Sequence, residues 1–493
     1  MRFLDESQKA QVGFQFIMDE LNVMTCYGRD KKKNLKPFQR KDKEKLIYEL
    51  DNLEKIIRGL QVNEGEFGKI ECAFCKVKDI RNSIKRCREL NILDDVELFE
   101  IKSFCSLIDD IIKALNNLQL NIPELYLEDL SGAFKLLDPE NKHMPTFYIY
   151  DAYSSKLKEI RDKKRALEER ILLEIDEEKI KVLKEERLNY VILEDGEEFK
   201  IRKRLTKELA AYVEKIDKDI YIIGFLDLLM AKGKLSIRYG GIKPIICDEM
   251  RINLKNAVNP QIKELLEKKG KEFTPISVDL REGVSIITGA NMGGKSVTLK
   301  TAVLNVFLAS HGFFVFCEEA IIPIVDFIGF ISDDMQSISK GLSTFGAEII
   351  RLNSVIECAK RWQGFIVLDE FARGTNPKEG CYLVKALCRY LKKFNSVTLI
   401  STHYDGVVEK GMVHYQVIGL KNVNFEILKR KIDLNKGASV EIIQEHMDYR
   451  LERVSRKNKV PKDALNIATL LGIEDGIVDI IKKFYEKGEE HGK

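Results

Sequence analysis

Gly289-Ala290-Asn291-Met292-Gly293-Gly294 leads directly into Lys295-Ser296. Glycines in such a run let backbone N–H groups converge on an anion, and a helix opening at Ser296 adds the positive end of its dipole. A lysine at this position can reach the β- and γ-phosphates of a nucleotide, and the Ser296 hydroxyl can ligate Mg²⁺. The run reads G-x-x-x-x-G-K-S and stands in the context that such a motif needs. Ahead of it, Val284 to Thr288 is a short β-branched run typical of a buried strand. Behind it, Leu299, Ala302 and Val303 fall on one helical face. Strand, glycine loop and helix together predict a nucleotide site.

Three later stretches carry matching chemistry. Gly364 to Leu368 is an apolar run ending in Asp369-Glu370. At a strand end near a phosphate loop, the first carboxylate can hold Mg²⁺ through water and the second can polarise an attacking water. Val397 to Ile400 ends at Ser401-Thr402-His403-Tyr404, which sets His403 on the rim where the phosphates would lie. Between the two phosphate-facing pieces, the run Ser332 to Phe345 is rich in hydroxyls and contains Gly341. It precedes a helix near Gly346 and makes a second potential phosphate-facing helix start.

Positioning these groups takes a parallel sheet with covering helices, and the whole chain has room for more. Its 493 residues suggest roughly two to four domains. Lys and Arg number 81 against 78 Asp and Glu, a net charge of +3, so any nucleic-acid surface must be local. A charged share of 32% with only 10 prolines points to long solvated helices. Of the ten cysteines only Cys72 and Cys75 form a C-x-x-C, with no second pair or histidine cluster nearby; they read as small buried helix residues rather than a zinc or redox site. The N-terminus has no apolar signal region, and the uncharged run Thr301 to Cys317 reads as helix, turn and strand, not a membrane span. A cytoplasmic protein with reduced thiols and no membrane attachment is expected.

Residues 1 to about 115 have helical periodicity, interrupted by a basic, loop-like stretch from Arg29 to Lys45 that is either a solvated loop or a phosphate-backbone contact. Phe147 to Tyr150 looks strand-like. From Tyr153 to Arg187 the chain is highly charged, with Leu157, Ile160, Leu167 and Ile171 in a narrow two-helix seam. A second helix with Leu205, Leu209, Val213 and Ile216 returns to about Gly233. Between them, Tyr190–Leu193 and Phe199–Ile201 flank Glu194-Asp195-Gly196-Glu197, which predicts a β-hairpin. The arm so formed is a lever, a reaching device or an oligomerisation stalk. Further strands are expected at Leu235–Tyr239, Ile245–Cys247, Phe313–Phe316 and Val423–Leu428. The chain closes with a helix, a glycine turn and a second helix, apolar on one side, as in a docking or dimerisation element.

These motifs together resemble the MutS family of ATPases. The match lies in ITGANMGGKS, in Ser343-Thr344-Phe345, in LDEFARGT and in STHY, and it is strong over about 285 to 480. The implied architecture is an α/β P-loop (ABC-type) ATPase domain preceded by an all-α core, with a long helical lever arm tipped by a β-hairpin. In residues, that is a helical core at 1–152, lever helices at 153–233 with a small clamp hairpin at 188–203, the ATPase domain at 234–425 and a dimerising tail at 426–493. The resemblance also implies a homodimer with composite sites for ATP and Mg²⁺. Gly289, Asn291, Met292, Gly293, Gly294, Lys295 and Ser296 would bind the phosphates, with Ser296 and Asp369 on the metal. Glu370 would activate water, His403 would sense the γ-phosphate, Ser343 would come from the opposite subunit, and Phe273 would stack on adenine.

Departures from the family pattern shape the functional expectation. The resemblance leads us to expect a chain that starts in the helical core, without a mismatch-reading domain. QSISKGLSTF and GTNPKEG look more like the second bacterial MutS branch, although its C-terminal nuclease-like domain is not expected here. The expected tip is acidic, through Glu194, Asp195, Glu197 and Glu198, while Arg202, Lys203 and Arg204 sit lower. Two partners follow from the resemblance. One is DNA, recognised by structure rather than sequence. The other is a protein, since shortened MutS-like ATPases of this layout are associated with B12-dependent lysine or ornithine aminomutases, which they are thought to reactivate.

Overall fold

The computed structural model describes residues 3–144, 146–289, 294–332, 344–421, 423–434, 442–443, 445–454, 463–474, 476–481 and 484. The chain divides into two units, one of Met1–Leu21, Lys36–Asp51 and Leu235–Lys493, the other of Asn22–Leu35 and Asn52–Lys234. Helices α1 (Glu6–Val12) and α2 (Phe14–Glu20) therefore belong with the phosphate loop, not with the helices that follow them. Their reason is local packing: Phe14 meets Phe307 edge-on at 4.6 Å and lies 5.2 Å from His311.

The helical unit is built from α3 (Cys26–Lys33), the part of α4 (Lys43–Val62) from Asn52 onward, α5 (Glu64–Phe74), α6 (Arg81–Arg88), α7 (Asp95–Leu118), α8 (Ser131–Leu137), α9 (Ser155–Leu173), α10 (Glu177–Leu209) and α11 (Val213–Tyr239) as far as Lys234. Asp94 and Glu97 form a reciprocal capping box at the start of α7. The helix then buries Leu98, Ile101, Phe104, Ile108 and Ile111 at three-and-four spacing. Asp227 of α11 accepts from the N–H groups of Met24 and Thr25 and from the Thr25 hydroxyl, so a buried carboxylate fixes the start of α3. Gly28 is required beneath it, because a Cβ there would come within 2.2 Å of Asp227 Oδ2.

Of the four seam residues, Leu157, Ile160 and Leu167 are buried as the spacing predicts, and Ile171 is half-buried. The hairpin is not formed: residues 188–203 lie inside α10, a continuous helix of 33 residues and about 50 Å. Arg161 of α9, 8% exposed in its side chain, decides the matter. Its guanidinium donates to Glu194 at 2.9 Å, Glu198 at 2.8 Å, Asp151 at 2.6 Å, the Tyr148 hydroxyl and the Ile149 carbonyl. Glu194 and Glu198 are four apart, the spacing at which a helix presents both to one cation. The acids that read as a turn are a binding face for α9. The corner between the two helices falls instead at 174–176, where Leu172, Leu173 and Ile175 are 83%, 83% and 91% exposed.

Other expectations are corrected in the same way. Leu235–Tyr239 is the end of α11, and Phe147–Tyr150 and Phe313–Phe316 form no strand, the latter holding only the bridge Ile242–Val315. Val423–Leu428 enters α16 (Phe425–Leu434), Arg29–Lys33 is helical in α3, and Cys72 and Cys75 are exposed rather than buried. Short alternating or apolar runs fit helix and strand alike, and packing decides between them.

The phosphate-loop unit has two sheets. One is ordered β1 (Ile245–Cys247), β5 (Glu319–Pro323), β2 (Arg251–Ala257), β3 (Ile276–Arg281). The other runs β10 (Asp448–Arg453), β9 (Val413–Gly419), β4 (Gly283–Thr288), β8 (Val397–Ser401), β7 (Gly364–Asp369), β6 (Phe327–Ile331), parallel throughout except for β10. Strands β4, β7 and β8 are buried along their whole length, as covering on both faces requires. Besides α12 (Pro260–Glu267), the unit has α13 (Lys295–Ser310), buried on nearly all sides. Helices α14 (Thr344–Ala359) and α15 (Pro377–Leu391) contribute Leu352, Val384, Leu387 and Leu391 to a core with Phe327, Ile366 and Leu368. In the tail, α17 (Asp463–Leu470) packs Leu470 with Leu420, Leu428, Ile432, Ile443 and Met447. No helix among the described residues is long and apolar enough to cross a membrane.

Candidate functional site

The parallel sheet brings the ends of β4, β8 and β7 to one rim, with β8 between the strand of the glycine loop and the strand of the paired acids. This rim, at the carboxyl ends of the strands, is where α/β sheets bind ligands. Gly289 leaves β4 at φ +142° and Gly294 enters α13 at φ +76°, both positions that disfavour a side chain. Lys295, 3% exposed, is the first residue of α13; its Nζ donates to the Gly289 carbonyl at 2.8 Å and lies 3.1 Å from Glu370 Oε1. One lysine therefore closes the loop's base and reaches the end of β7.

Asp369 ends β7 in register with Ser401 at the end of β8. The Ser401 hydroxyl donates to Asp369 Oδ1 at 2.6 Å and accepts from the Glu370 N–H at 2.9 Å, so one side chain orients both acids. Burial raises the pKa of Asp369, while hydrogen bonds from Ser401 and Ser296 pull it back and Glu370 raises it further. Glu370 turns out of the strand at φ +49° and is also paired with Arg373 at 3.1 Å. The segment beyond it is tied down twice: the Ala372 N–H donates to Glu348 of α14, and the Tyr404 hydroxyl donates to the Ala372 carbonyl at 2.8 Å. His403 keeps much of its surface exposed, yet desolvation lowers its pKa. Glu370 opposes that shift, and Lys295 and Arg373 reinforce it.

Lys295, Ser296, Asp369, Glu370 and His403 are thus gathered at one rim. Asn291, Met292, Gly293 and Ser343 lie outside the described residues. Phe273 is half-buried ahead of β3, and no aromatic contact among the described residues joins it to the site. Ser401 was legible only by registering β7 against β8, and Arg373 only as the residue three beyond Glu370. Thr288, which bonds His414 Nε2 at 2.8 Å, and Tyr449, which lies against Gly294, carry no sequence signal of their own.

The oxygen donors fit Mg²⁺. The Ser296 hydroxyl and the Asp369 carboxylate are within hydrogen-bond reach of each other, and hard oxygens of this kind suit that ion. The buried lysine and the two left-handed glycines fit a polyphosphate. What the arrangement can do chemically is hold a nucleotide's phosphates, share a metal between Ser296 and Asp369, and present the Glu370 carboxylate to a water.

Residues 285–472 match the family model described as MutS domain V. Among similar proteins, a DNA mismatch repair protein MutS from Persephonella marina is 29% identical over 331 residues, 66% of this chain and 33% of that protein. An Endonuclease MutS2 from Caldicellulosiruptor bescii is 32% identical over 315 residues, 52% of this chain and 39% of its own. An Endonuclease MutS2 from Caldanaerobacter subterraneus is 27% identical over 504 residues, 86% of this chain and 61% of its own. The chain thus spans between a third and two thirds of the length of these relatives.

Proposed function

The chain belongs to the MutS family through its domain V, and from that premise we propose that it is a Mg²⁺-dependent ATPase that couples nucleotide turnover to clamp-like binding of DNA. The observation that carries the ATPase reading is the meeting of Lys295 with Glu370 at 3.1 Å beside an Asp369 held by Ser401 and within reach of Ser296. Lys295 would exchange its contacts with Gly289 and Glu370 for phosphate oxygens. That move frees one oxygen of Glu370 to accept the proton of an attacking water. Asp369 and Ser296 would hold Mg²⁺, which supplies charge neutralisation on the phosphates when bound. His403, whose pKa desolvation lowers, would contact the γ-phosphate as a hydrogen-bond partner. Following the resemblance, Gly289 to Gly294 would line the phosphates, Phe273 would stack on adenine, and Ser343 of a second copy would complete each site of a homodimer.

DNA binding rests on the relatives, two of which are named for DNA mismatch repair and for endonuclease activity. It predicts affinity for duplex or branched DNA that falls steeply with salt, and an ATPase rate altered by that DNA. Absence of binding to duplex, branched and single-stranded DNA at every salt concentration, together with an unaltered rate, sinks this part and leaves the ATPase standing.

One feature favours a second reading. The corner between α9 and α10 exposes Leu172, Leu173 and Ile175, and the residues around it include Glu168, Glu169, Glu174, Asp176, Glu177 and Glu178. An apolar, acidic corner suits a protein surface better than phosphate, as a remodelling ATPase for a B12-dependent aminomutase would need. A pull-down from the source cell, with and without nuclease, separates the two. Nuclease-insensitive enrichment of such an enzyme supports the second reading, and nuclease-sensitive recovery of DNA supports the first.

A further inference from the structure

Both ends of the phosphate loop lean on strands that lie outside the catalytic motifs. A Cβ on Gly289 would sit 3.0 Å from Val417 Cβ on β9, and a Cβ on Gly294 would sit 3.2 Å from Tyr449 Cδ1 on β10. Val417 is fully covered, whereas the Tyr449 ring is half-buried, with burial raising its pKa. Strand β10 is antiparallel to β9, so its first residues lie at the same end of the sheet as the loop. That topology carries Tyr449 past β9 to the glycine immediately before Lys295.

The same ring reaches the other way. Tyr449 packs against the tail cluster of Leu420, Leu428, Ile432, Ile443, Met447 and Leu470, which draws on α16 and α17. Leu420 directly follows β9 and Met447 directly precedes β10, so the strands that brace the loop are anchored in this cluster. A flat ring wedged between an apolar cluster and a left-handed glycine transmits displacement, because a close-packed interior deforms little before it repacks.

We propose that Tyr449 is a positioning residue that couples the tail cluster to the phosphate loop, so that packing of the tail sets the affinity for ATP. The proposal rests on the ATPase reading. Tyr449 acts through Gly294: it holds that residue at φ +76° and thereby aims the first turn of α13, including Lys295 and Ser296. Losing the ring loosens the loop but leaves Asp369, Glu370 and Ser401 in place. The defect therefore falls on nucleotide binding and not on the chemical step.

The test uses the full chain and four variants: Tyr449→Ala, Tyr449→Phe, Leu470→Ala and the double variant Tyr449→Ala/Leu470→Ala. Steady-state ATP hydrolysis gives KM and kcat, and thermal unfolding reports folding. Tyr449→Ala is expected to raise KM for ATP about tenfold with kcat within about twofold, and Tyr449→Phe to restore KM, since the contact uses the ring. Leu470→Ala is expected to raise KM by a smaller factor, and the double variant to be no worse than Tyr449→Ala alone, because both act through one contact. A merely structural role would lower kcat through a smaller folded fraction and leave KM unchanged. If Tyr449→Ala does not fold, Tyr449→Leu keeps the cluster filled without the flat ring and is expected to show the same rise in KM. Wild-type KM in whichever of the two folds, or fully additive effects of positions 449 and 470, overturns the proposal. A wild-type chain that neither binds nor hydrolyses ATP instead overturns the ATPase reading beneath it.

Discussion

Ser401→Ala probes the organisation of the site through one atom. The Ser401 hydroxyl donates to Asp369 at 2.6 Å and is the largest influence opposing the upward shift that burial imposes on that carboxyl. A hydrogen bond to a charged group contributes about 1.5–3 kcal/mol. Its loss removes support for the charged form, so the Asp369 pKa should rise further. The fold should survive, because the Glu370 N–H keeps the Ser401 carbonyl at 3.2 Å as a partner. The assay is ATP hydrolysis against pH and against Mg²⁺ concentration. The acid limb of the profile should move alkaline, and the Mg²⁺ requirement at neutral pH should rise about tenfold or more. An acid limb and a Mg²⁺ requirement both unchanged in a folded Ser401→Ala protein would refute the reasoning that Asp369 is the metal-holding acid tuned by β8.

Asp219 of α11 is fully buried, and its Oδ1 accepts from the Glu128 N–H at 2.9 Å while its Oδ2 is unpaired, so burial pushes its pKa up to about 7. Between about pH 4 and pH 7 the native state then binds the extra proton, so stability falls as pH rises through that window and levels off above it, with an upper bound of about 4 kcal/mol. Asp219→Asn should flatten the fall in Tm between pH 5 and pH 8, and an unchanged slope counts against the assignment. Arg161→Met strips the cation from Asp151, Glu194 and Glu198 and should cost about 3–5 kcal/mol. Amide exchange should rise selectively across residues 190–200, and unaltered protection there would show that the pairing does not hold α10 to α9. Gly380→Ala puts a Cβ 2.2 Å from the Tyr404 hydroxyl and should cost about 1–3 kcal/mol, with a lower kcat as the Ala372 contact loosens. Wild-type kcat and Tm in that variant would contradict it.

What was legible in the sequence is what is local. The loop, the acids and the histidine each end or follow a buried strand of five or six residues, and a strand, a tight turn and a helix start can be read within one window. The arm's hairpin was misread because Glu-Asp-Gly-Glu has the composition of a turn. The force that makes it helical is Arg161, more than thirty residues away in sequence. Ser401 needed the register of two strands, and Tyr449 needed the order of three. The union of residues 1–21 with the phosphate-loop unit came from Phe14 meeting Phe307, a pairing that no local pattern announces.

The central claim is that Lys295 and the paired acids form an ATP-hydrolysing site, and the most direct test compares phosphate release by wild type and Lys295→Ala with and without Mg²⁺. Lys295 is buried against Gly289 and Glu370, and the variant's Tm shows whether it stays folded. The account predicts Mg²⁺-dependent turnover in wild type and background release in folded Lys295→Ala. Equal turnover in the two proteins would contradict it.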